Sequence, residues 1–267
     1  MLNIKEKSIK ILSIGNSFSD DALWLLPDIL KSLGVTKFRV SNLYLPGCLL
    51  ERHLENIKND NAVYEFRTNT GSDWTTLYDT KLIDGVNDDE WDYITLQQGS
   101  TKSGLPESYS CLVEIIDTIK SLKPNVKLAW HMTWAYQQDY NSLAFINNYE
   151  GNQLVMYNAI INSVKREILN KFDFNFIIPN GTVVQNARTS FLGDTITRDG
   201  FHMSYEIGRY ITALTFACLI TGSSSDDVKF KPDFVTDDIK RVCFESVKNA
   251  LLNPYKVTKS VYRGKDN

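Results

Sequence analysis

Asp199 and His202 stand three residues apart in Arg198-Asp-Gly-Phe-His, ahead of a helical pattern. At this spacing the Asp199 carboxylate can fold back onto Nδ1 of His202, which leaves Nε2 free to face another group. Ser17 closes the run Ile11-Leu-Ser-Ile-Gly-Asn-Ser, in which an apolar strand pattern stops at an exposed turn before a helix. A serine needs a nearby base to act as a nucleophile, and the base needs a group that orients it. Ser17, His202 and Asp199 therefore predict a nucleophile, its base and the group that orients the base. The alternative is that Asp199 only caps the next turn and that His202 stands beside it by chance.

Two other histidines could serve as the base. His53 falls in the polar helical stretch 51–59, where we expect it on a solvated face. His131 ends a strand pattern, and we expect a hydrogen-bonded histidine at the edge of a pocket. His202 is therefore the predicted base.

A larger framework must position these residues. Apolar, β-rich runs predict five main strands, at 8–14, 37–45, 92–97, 126–132 and 174–178. Helical patterns lie at 20–33, 49–58, 108–122, 149–171, 205–220 and 237–252, with Asp20 and Asp21 as the N-cap and first-turn acid of the first helix. Two short runs at 62–68 and 74–78 predict an inserted hairpin near 62–80. Strands alternating with helices predict a mainly parallel sheet covered on both faces, a three-layer α/β/α fold in one domain over 1–267.

Ligands of such sheets bind outside the carboxyl ends of the strands. Five polar or aromatic stretches follow the predicted strands, at 15–19, 46–48, 97–100, 131–136 and 180 onward. Trp134 and Tyr136 suit stacking on a sugar ring, with core packing as the alternative. Arg188 and Arg198 suit a polar substrate, with structural ion pairs as the alternative. The predicted substrate contacts are Asn16, Trp134, Tyr136, Asn180 and Arg188.

Composition excludes several classes of function. The 267 residues are 43% hydrophobic and 23% charged, which is ordinary for a globular protein. A net charge of −3 with scattered basic residues argues against a nucleic-acid partner, and no apolar run reaches the roughly 18 residues of a membrane span. The N-terminus lacks a signal-peptide pattern, so we expect a cytoplasmic protein, or a secreted or periplasmic one if a signal was removed. Four dispersed cysteines predict free thiols, with no metal and no cofactor.

The order of these blocks resembles the SGNH (GDSL-like) hydrolase superfamily over roughly residues 8–220. Gly15-Asn-Ser-Phe-Ser, Trp91-Asp-Tyr-Ile-Thr-Leu-Gln-Gln and Arg198-Asp-Gly-Phe-His look like a branch described mainly as a domain of unknown function in gut bacteria. The resemblance implies a flavodoxin-like fold, with Ser17 as nucleophile, His202 as base and Asp199 as its orienting group.

The resemblance also implies an oxyanion hole, built from the backbone N–H groups of Ser17 and Gly47. The family's third donor is an asparagine side chain, and here Gln97 and Gln98 stand in its block. Because adjacent strand residues point to opposite sides, we expect one of these two amides to be the donor. The first block carries Asn16 where the family usually has aspartate.

The resemblance implies a serine esterase that removes a short acyl group, such as acetyl, from a carbohydrate without a cofactor. Its substrate is expected to be a small-molecule or glycan ester. The alternatives are lipase-like or thioesterase activity on longer acyl chains, and a non-catalytic glycan-binding domain on the same scaffold. The sequence does not indicate an oligomeric state.

Overall fold

The computed structural model describes residues 8–264. A seven-stranded sheet forms its centre. The strands are β1 Ile9–Gly15, β2 Phe38–Tyr44, β3 Ala62–Asn69, β4 Thr75–Lys81, β5 Tyr93–Leu96, β6 Lys127–His131 and β7 Phe176–Ile178.

Within this described range, ten α-helices surround the sheet. They are α1 Ser17–Leu23, α2 Leu26–Ser32, α3 Leu50–Lys58, α4 Leu82–Asn87, α5 Leu112–Leu122, α6 Leu143–Tyr149, α7 Gln153–Ser163, α8 Asn180–Arg188, α9 Ile207–Thr221 and α10 Asp237–Leu252. A π-helical segment, Val164–Leu169, continues α7, and short 3-10 turns lie at Pro106–Tyr109 and Ser225–Asp227.

The strand order is β4-β3-β2-β1-β5-β6-β7, and five of these strands are parallel. Numbered among themselves, the parallel strands follow the order 2-1-3-4-5, which is the flavodoxin-like arrangement. The order reverses at β1, because its two neighbours, β2 and β5, both follow it in the chain. A crevice opens at such a reversal, outside the carboxyl ends of the strands. Ser17 lies at this point, directly after β1.

Helices cover both faces of the sheet, as the sequence predicted. One layer contains α1, α2, α8, α9 and α10, which pack against one another, and α3, α4 and α5 form a second packed group. The inner strands are apolar on both sides: Ile11, Leu12 and Ile14 of β1 are fully buried. This burial explains why these strands read as continuous apolar runs rather than as alternating ones.

The predicted hairpin extends the main sheet instead of standing apart from it. β3 pairs antiparallel with β2, and β4 pairs antiparallel with β3, so the sheet has seven strands rather than five. β4 is the edge strand, and most of its side chains are exposed. The sequence of this hairpin did not show that β3 would pair with β2, since the apolar pattern of β4 is weak.

Two predicted helices are interrupted. The helix expected over 20–33 forms as α1 and α2, with Pro27 in the first turn of α2, because proline cannot donate to a preceding helical turn. The helix expected over 149–171 begins only at Gln153, since Glu150 and Gly151 both adopt positive φ. The polar stretch from Asn180 onward, which follows the fifth parallel strand, begins α8 directly.

Candidate functional site

The turn that presents Ser17 is held by the side chain of Asn16. Asn16 is the N-cap of α1: its Oδ1 accepts from the backbone N–H of Phe18 at 2.9 Å. The predicted cap, Asp20, lies within the first turn of the helix instead. Ser19 is not the cap either, since its hydroxyl bonds to the Asn16 carbonyl and to Asn42. Ser17 is therefore the first helical residue, and its N–H has no acceptor within α1.

His202 reaches this turn from 185 residues away and brings Asp199 with it. Nε2 of His202 lies 2.8 Å from Oγ of Ser17, and Nδ1 lies 2.6 Å from Oδ2 of Asp199. The other oxygen of Asp199 accepts the backbone N–H groups of His202, at 2.8 Å, and Phe201, at 3.3 Å. The structure thus brings the three residues together in the order Ser17, His202, Asp199.

The Asp199 carboxyl is held in its charged form. Burial raises its pKa, but the hydrogen bonds from the His202 ring and from the two backbone N–H groups outweigh burial, so its pKa lies below the ordinary value. Because a charged carboxylate accepts from Nδ1, the proton of a neutral His202 is placed on Nδ1. Nε2 then presents a lone pair to Ser17.

Gly200 shapes the loop between Asp199 and His202. Its φ is +92°, in the left-handed region, and a Cβ placed there would lie 2.5 Å from the ring of Tyr140. The ring of Phe201 packs on that of His202, with centroids 3.9 Å apart. The loop therefore requires glycine at position 200.

Asp21 ties the histidine loop to the helix that carries Ser17. Its side chain is fully buried, and it accepts from Arg198 at 2.9 Å, from Arg209 at 2.8 Å and from the backbone N–H of Met203 at 3.0 Å. Arg198 and Met203 flank His202, so one carboxylate holds both sides of the loop. Arg198 is thus a structural ion-pair partner.

A cleft of about 430 Å³ opens over Ser17 and His202. Its walls carry the aromatic rings of Tyr44, Tyr136, Tyr140 and Phe201 and the hydroxyl groups of Ser100, Thr101 and Ser142. Gly47, with φ +60°, lines it as well, and no atom of the described residues other than its two chain neighbours lies within 4 Å of a Cβ placed at this position. Among the described residues, none that lines this cleft is Lys, Arg, Asp or Glu. A larger cavity of about 550 Å³ lies near Trp24 and Trp74, without Ser17 or His202 in its wall.

Gln97 and Gln98, expected as oxyanion donors, do not line the cleft. Gln98 accepts from the backbone N–H groups of Leu50 and Gly99 and donates to the carbonyl and hydroxyl of Ser108, which occupies both hydrogens of its amide. Gln97 donates to Oδ1 of Asn16 at 2.9 Å, and its Oε1 faces His131. The structure therefore uses both amides inside the protein, because buried amides must pair.

Three of the five predicted substrate contacts do not line the cleft either. Trp134 is fully buried, stacked on Phe18 with ring centroids 4.2 Å apart, and donates to the Phe201 carbonyl. Arg188 pairs with Asp194 at 2.7 Å inside the protein, where burial lowers its pKa to about 10. These residues, like Asn180, which is also buried, belong to the interior. Tyr136 and Asn16 do line the cleft.

The other two histidines are both interior residues. His53, expected on a solvated face, is 1% exposed and bonds through Nδ1 to the Tyr64 hydroxyl at 2.8 Å. The helical pattern missed this contact because Tyr64 comes from β3. His131 is also 1% exposed, and both of its ring nitrogens have partners. Burial lowers the pKa of each histidine to about 3.

The model of a family named DUF4886, a domain of unknown function, matches residues 10–250. The chain belongs to this family. A DUF4886 family protein from Bacteroides uniformis, known from a crystal structure at 1.50 Å resolution, is 36% identical. The two structures superpose with a TM-score of 0.91 over 95% of this chain and 98% of that one. No functionally curated protein matches the chain.

More distant structures show where this DUF4886 fold belongs. A protein from Parabacteroides merdae named for its likeness to GDSL lipases has a TM-score of 0.56 at 14% identity, over 81% of this chain and 96% of that one. A lipase/acylhydrolase from Enterococcus faecalis has a TM-score of 0.50 at 14% identity, over 80% and 96%. At this identity the likeness concerns the fold alone, and the chain shares the predicted α/β/α fold with these two proteins.

Two kinds of feature are absent from residues 8–264. No helix there is both long enough and apolar enough to cross a membrane. No group of three or more His, Cys, Asp or Glu side chains in the same range is arranged to hold a metal ion. The four cysteines are free thiols, as predicted.

The sequence prediction missed two sets of residues in this DUF4886 chain. The first is Asp21 with its two arginines, whose only signal was an acidic residue in an apolar helical stretch. The second is the buried set Gln97, His131 and Asn180. Their signal was present, since each lies at the end of a parallel strand, but we assigned Gln97 to the oxyanion hole, His131 to the edge of a pocket and Asn180 to substrate rather than to one another.

Proposed function

We propose that this protein is a serine hydrolase that cleaves carboxylic esters through a covalent acyl-enzyme. The observation that carries the proposal is the line of contacts from Ser17 Oγ through both nitrogens of His202 to the charged Asp199 carboxylate. This is the arrangement that activates a serine hydroxyl.

In the proposed reaction, Oγ of Ser17 attacks the ester carbonyl while its proton passes to Nε2 of His202. Asp199 stabilises the imidazolium that forms. The negative charge on the carbonyl oxygen is met by the N–H groups of Ser17 and Gly47. The intermediate then expels the alcohol, which takes the proton from Nε2, and leaves an acyl-serine. A water molecule, deprotonated by His202, attacks the acyl-serine; the bond from the acyl carbon to Oγ then breaks, Oγ takes the proton back from Nε2, and the carboxylic acid is released.

The cleft supports a small, neutral substrate. Its volume lies in the lower part of the range for small-molecule sites. Aromatic rings and hydroxyl groups without charged side chains suit an uncharged, hydroxyl-bearing alcohol such as a sugar. They offer no cationic partner to a phosphorylated leaving group. We therefore propose a short acyl group, such as acetyl, on a carbohydrate.

A fluorophosphonate probe and a series of p-nitrophenyl esters test the proposal. We expect covalent labelling of the folded protein that disappears in Ser17→Ala, and hydrolysis that falls from acetate to butyrate to octanoate. A preference for octanoate would instead support lipase-like or thioesterase activity. Folded wild type that neither reacts with the probe nor hydrolyses any ester would support a glycan-binding domain and refute the enzyme.

A further inference from the structure

A chain of four buried hydrogen bonds runs beneath the cleft. It joins Asn180 to His131 at 3.0 Å, His131 to Gln97 at 2.9 Å, Gln97 to Asn16 at 2.9 Å, and Asn16 to the carbonyl of Cys48 at 3.0 Å. All five residues are at most 3% exposed. In this order they lie at the carboxyl ends of β7, β6, β5, β1 and β2, so the chain crosses all five parallel strands.

The chain of hydrogen bonds ends at a backbone carbonyl, and this end determines which partner donates in every bond. The Cys48 carbonyl only accepts, so Asn16 presents Nδ2 to it and keeps Oδ1 for Phe18 and Gln97. Gln97 therefore donates through Nε2 and turns Oε1 toward His131. Nδ1 of His131 must then carry the proton, and Nε2 accepts from Asn180. A single tautomer of neutral His131 satisfies the chain.

One atom at the end of this chain is left unpaired. Oδ1 of Asn180 is buried and has no hydrogen-bond partner among residues 8–264. An unpaired buried oxygen costs on the order of 1–3 kcal/mol. If the Asn180 amide were flipped, its Oδ1 would face the lone pair of His131 Nε2. The observed orientation therefore keeps the hydrogen bond to His131 and leaves Oδ1 of Asn180 without a partner.

We propose that His131 is a positioning residue, which acts through Gln97 and Asn16 to set the Ser17 turn against the Gly47–Cys48 loop. This inference rests on the proposed function. Asn16 is the element that joins the two segments, since it caps the helix of Ser17 and holds the carbonyl next to Gly47. These segments carry the two backbone N–H groups assigned to the oxyanion hole, and His131 fixes the rotation of the amides that hold them.

His53 offers a matched control. It is buried to the same extent as His131, its pKa is lowered to the same value, and it also has a buried polar partner, Tyr64. It lies in α3, outside the chain of hydrogen bonds. Replacing it tests what the loss of a buried histidine does to the protein without touching the Ser17 turn.

The test is the turnover of p-nitrophenyl acetate by His131→Met, Gln97→Met, the double variant, His131→Asn and His53→Met. We expect the first two to lower kcat by roughly 10- to 100-fold with little change in KM, because a displacement of about 1 Å at a reacting centre costs about this much. The double variant should be no slower than the slower of the two single variants, since either single substitution already breaks the chain of hydrogen bonds. His131→Asn should recover most of kcat, because Nδ2 of asparagine stands where Nδ1 of histidine stands. His53→Met should keep the wild-type kcat.

Several results would overturn the inference. Wild-type kcat in both methionine variants would do so, as would equal losses of kcat in His131→Met and His53→Met, or losses that multiply in the double variant. If His131→Met does not fold, Gln97→Met and His131→Asn decide the question. A wild type without esterase activity or probe labelling refutes the proposed function and this inference together, whereas an active wild type with unaffected variants refutes the inference alone.

Discussion

Acid should destabilise this protein through its two buried histidines. In the unfolded chain an imidazole has a pKa of about 6.5, whereas burial lowers the pKa of His53 and of His131 to about 3. Between these values the unfolded state binds a proton at each position and the folded state does not. The free energy of unfolding therefore falls as the pH falls below about 6.5.

The size of the effect follows from the same two values. Integrated from pH 7 to pH 5, each histidine removes about 2 kcal/mol of stability, and the pair removes about 4 kcal/mol. Because pH 5 lies well above the folded pKa, the result depends mainly on the unfolded value. For a marginally stable domain this loss is a large part of the total.

Urea denaturation at pH 7, 6 and 5 measures the effect, with His53→Gln as the comparison. The glutamine side chain keeps an amide that can reach Tyr64 but does not titrate. All other titrating groups are the same in the two proteins and cancel, so the loss of stability from pH 7 to pH 5 should be about 2 kcal/mol smaller in the variant. Equal losses in the two proteins would refute the argument that burial holds His53 neutral.

Three substitutions near the site should have separable effects. Asp199→Asn should leave the thermal midpoint near that of wild type and lower the turnover of p-nitrophenyl acetate by up to about 10⁴-fold, because the amide no longer fixes the His202 tautomer; turnover like that of wild type would remove Asp199 from the mechanism. Asp21→Asn should lower the free energy of unfolding by about 3 kcal/mol, measured by urea denaturation, since two partly buried arginines lose the charge of their fully buried partner; a change below about 1 kcal/mol would show that the arginines are solvated by water instead. Gly200→Ala should reduce turnover more than stability, because Cβ meets the Tyr140 ring and moves the histidine loop; Tyr140→Ala in the same chain should restore part of the loss.

The main architecture could be predicted because it depends on local patterns. Apolar runs revealed the parallel strands, and the fold then placed Ser17 at the crevice without further information. The split between α1 and α2 was not predicted, although Pro27 marks it in the sequence. The docking of β3 on β2 was not visible, because strand pairing depends on partners far apart in the chain.

Site residues divide in a similar way. Asp199 and His202 could be paired from their spacing, because a separation of three residues brings the two side chains together within one loop. The partners of Gln97 lie on other strands, and a sequence does not record which strands become neighbours. An amide side chain after a strand can hydrogen-bond either to a substrate or to other residues of the protein. Burial decides between the two, and burial is known only from the folded structure.

Asp21 lies one helical turn after Ser17, and it is bonded to residues on both sides of His202. The same short helix therefore presents the serine and anchors the loop of its base, although the chain between them forms nearly all of the sheet. During synthesis, the first strand and α1 leave the ribosome long before Arg209 does. At that stage Ser17 can already lie in a nearly finished sheet without its base. Under the proposed mechanism the serine becomes reactive only after the last third of the chain has been made, when Arg198 and Arg209 bind Asp21 and fix the His202 loop.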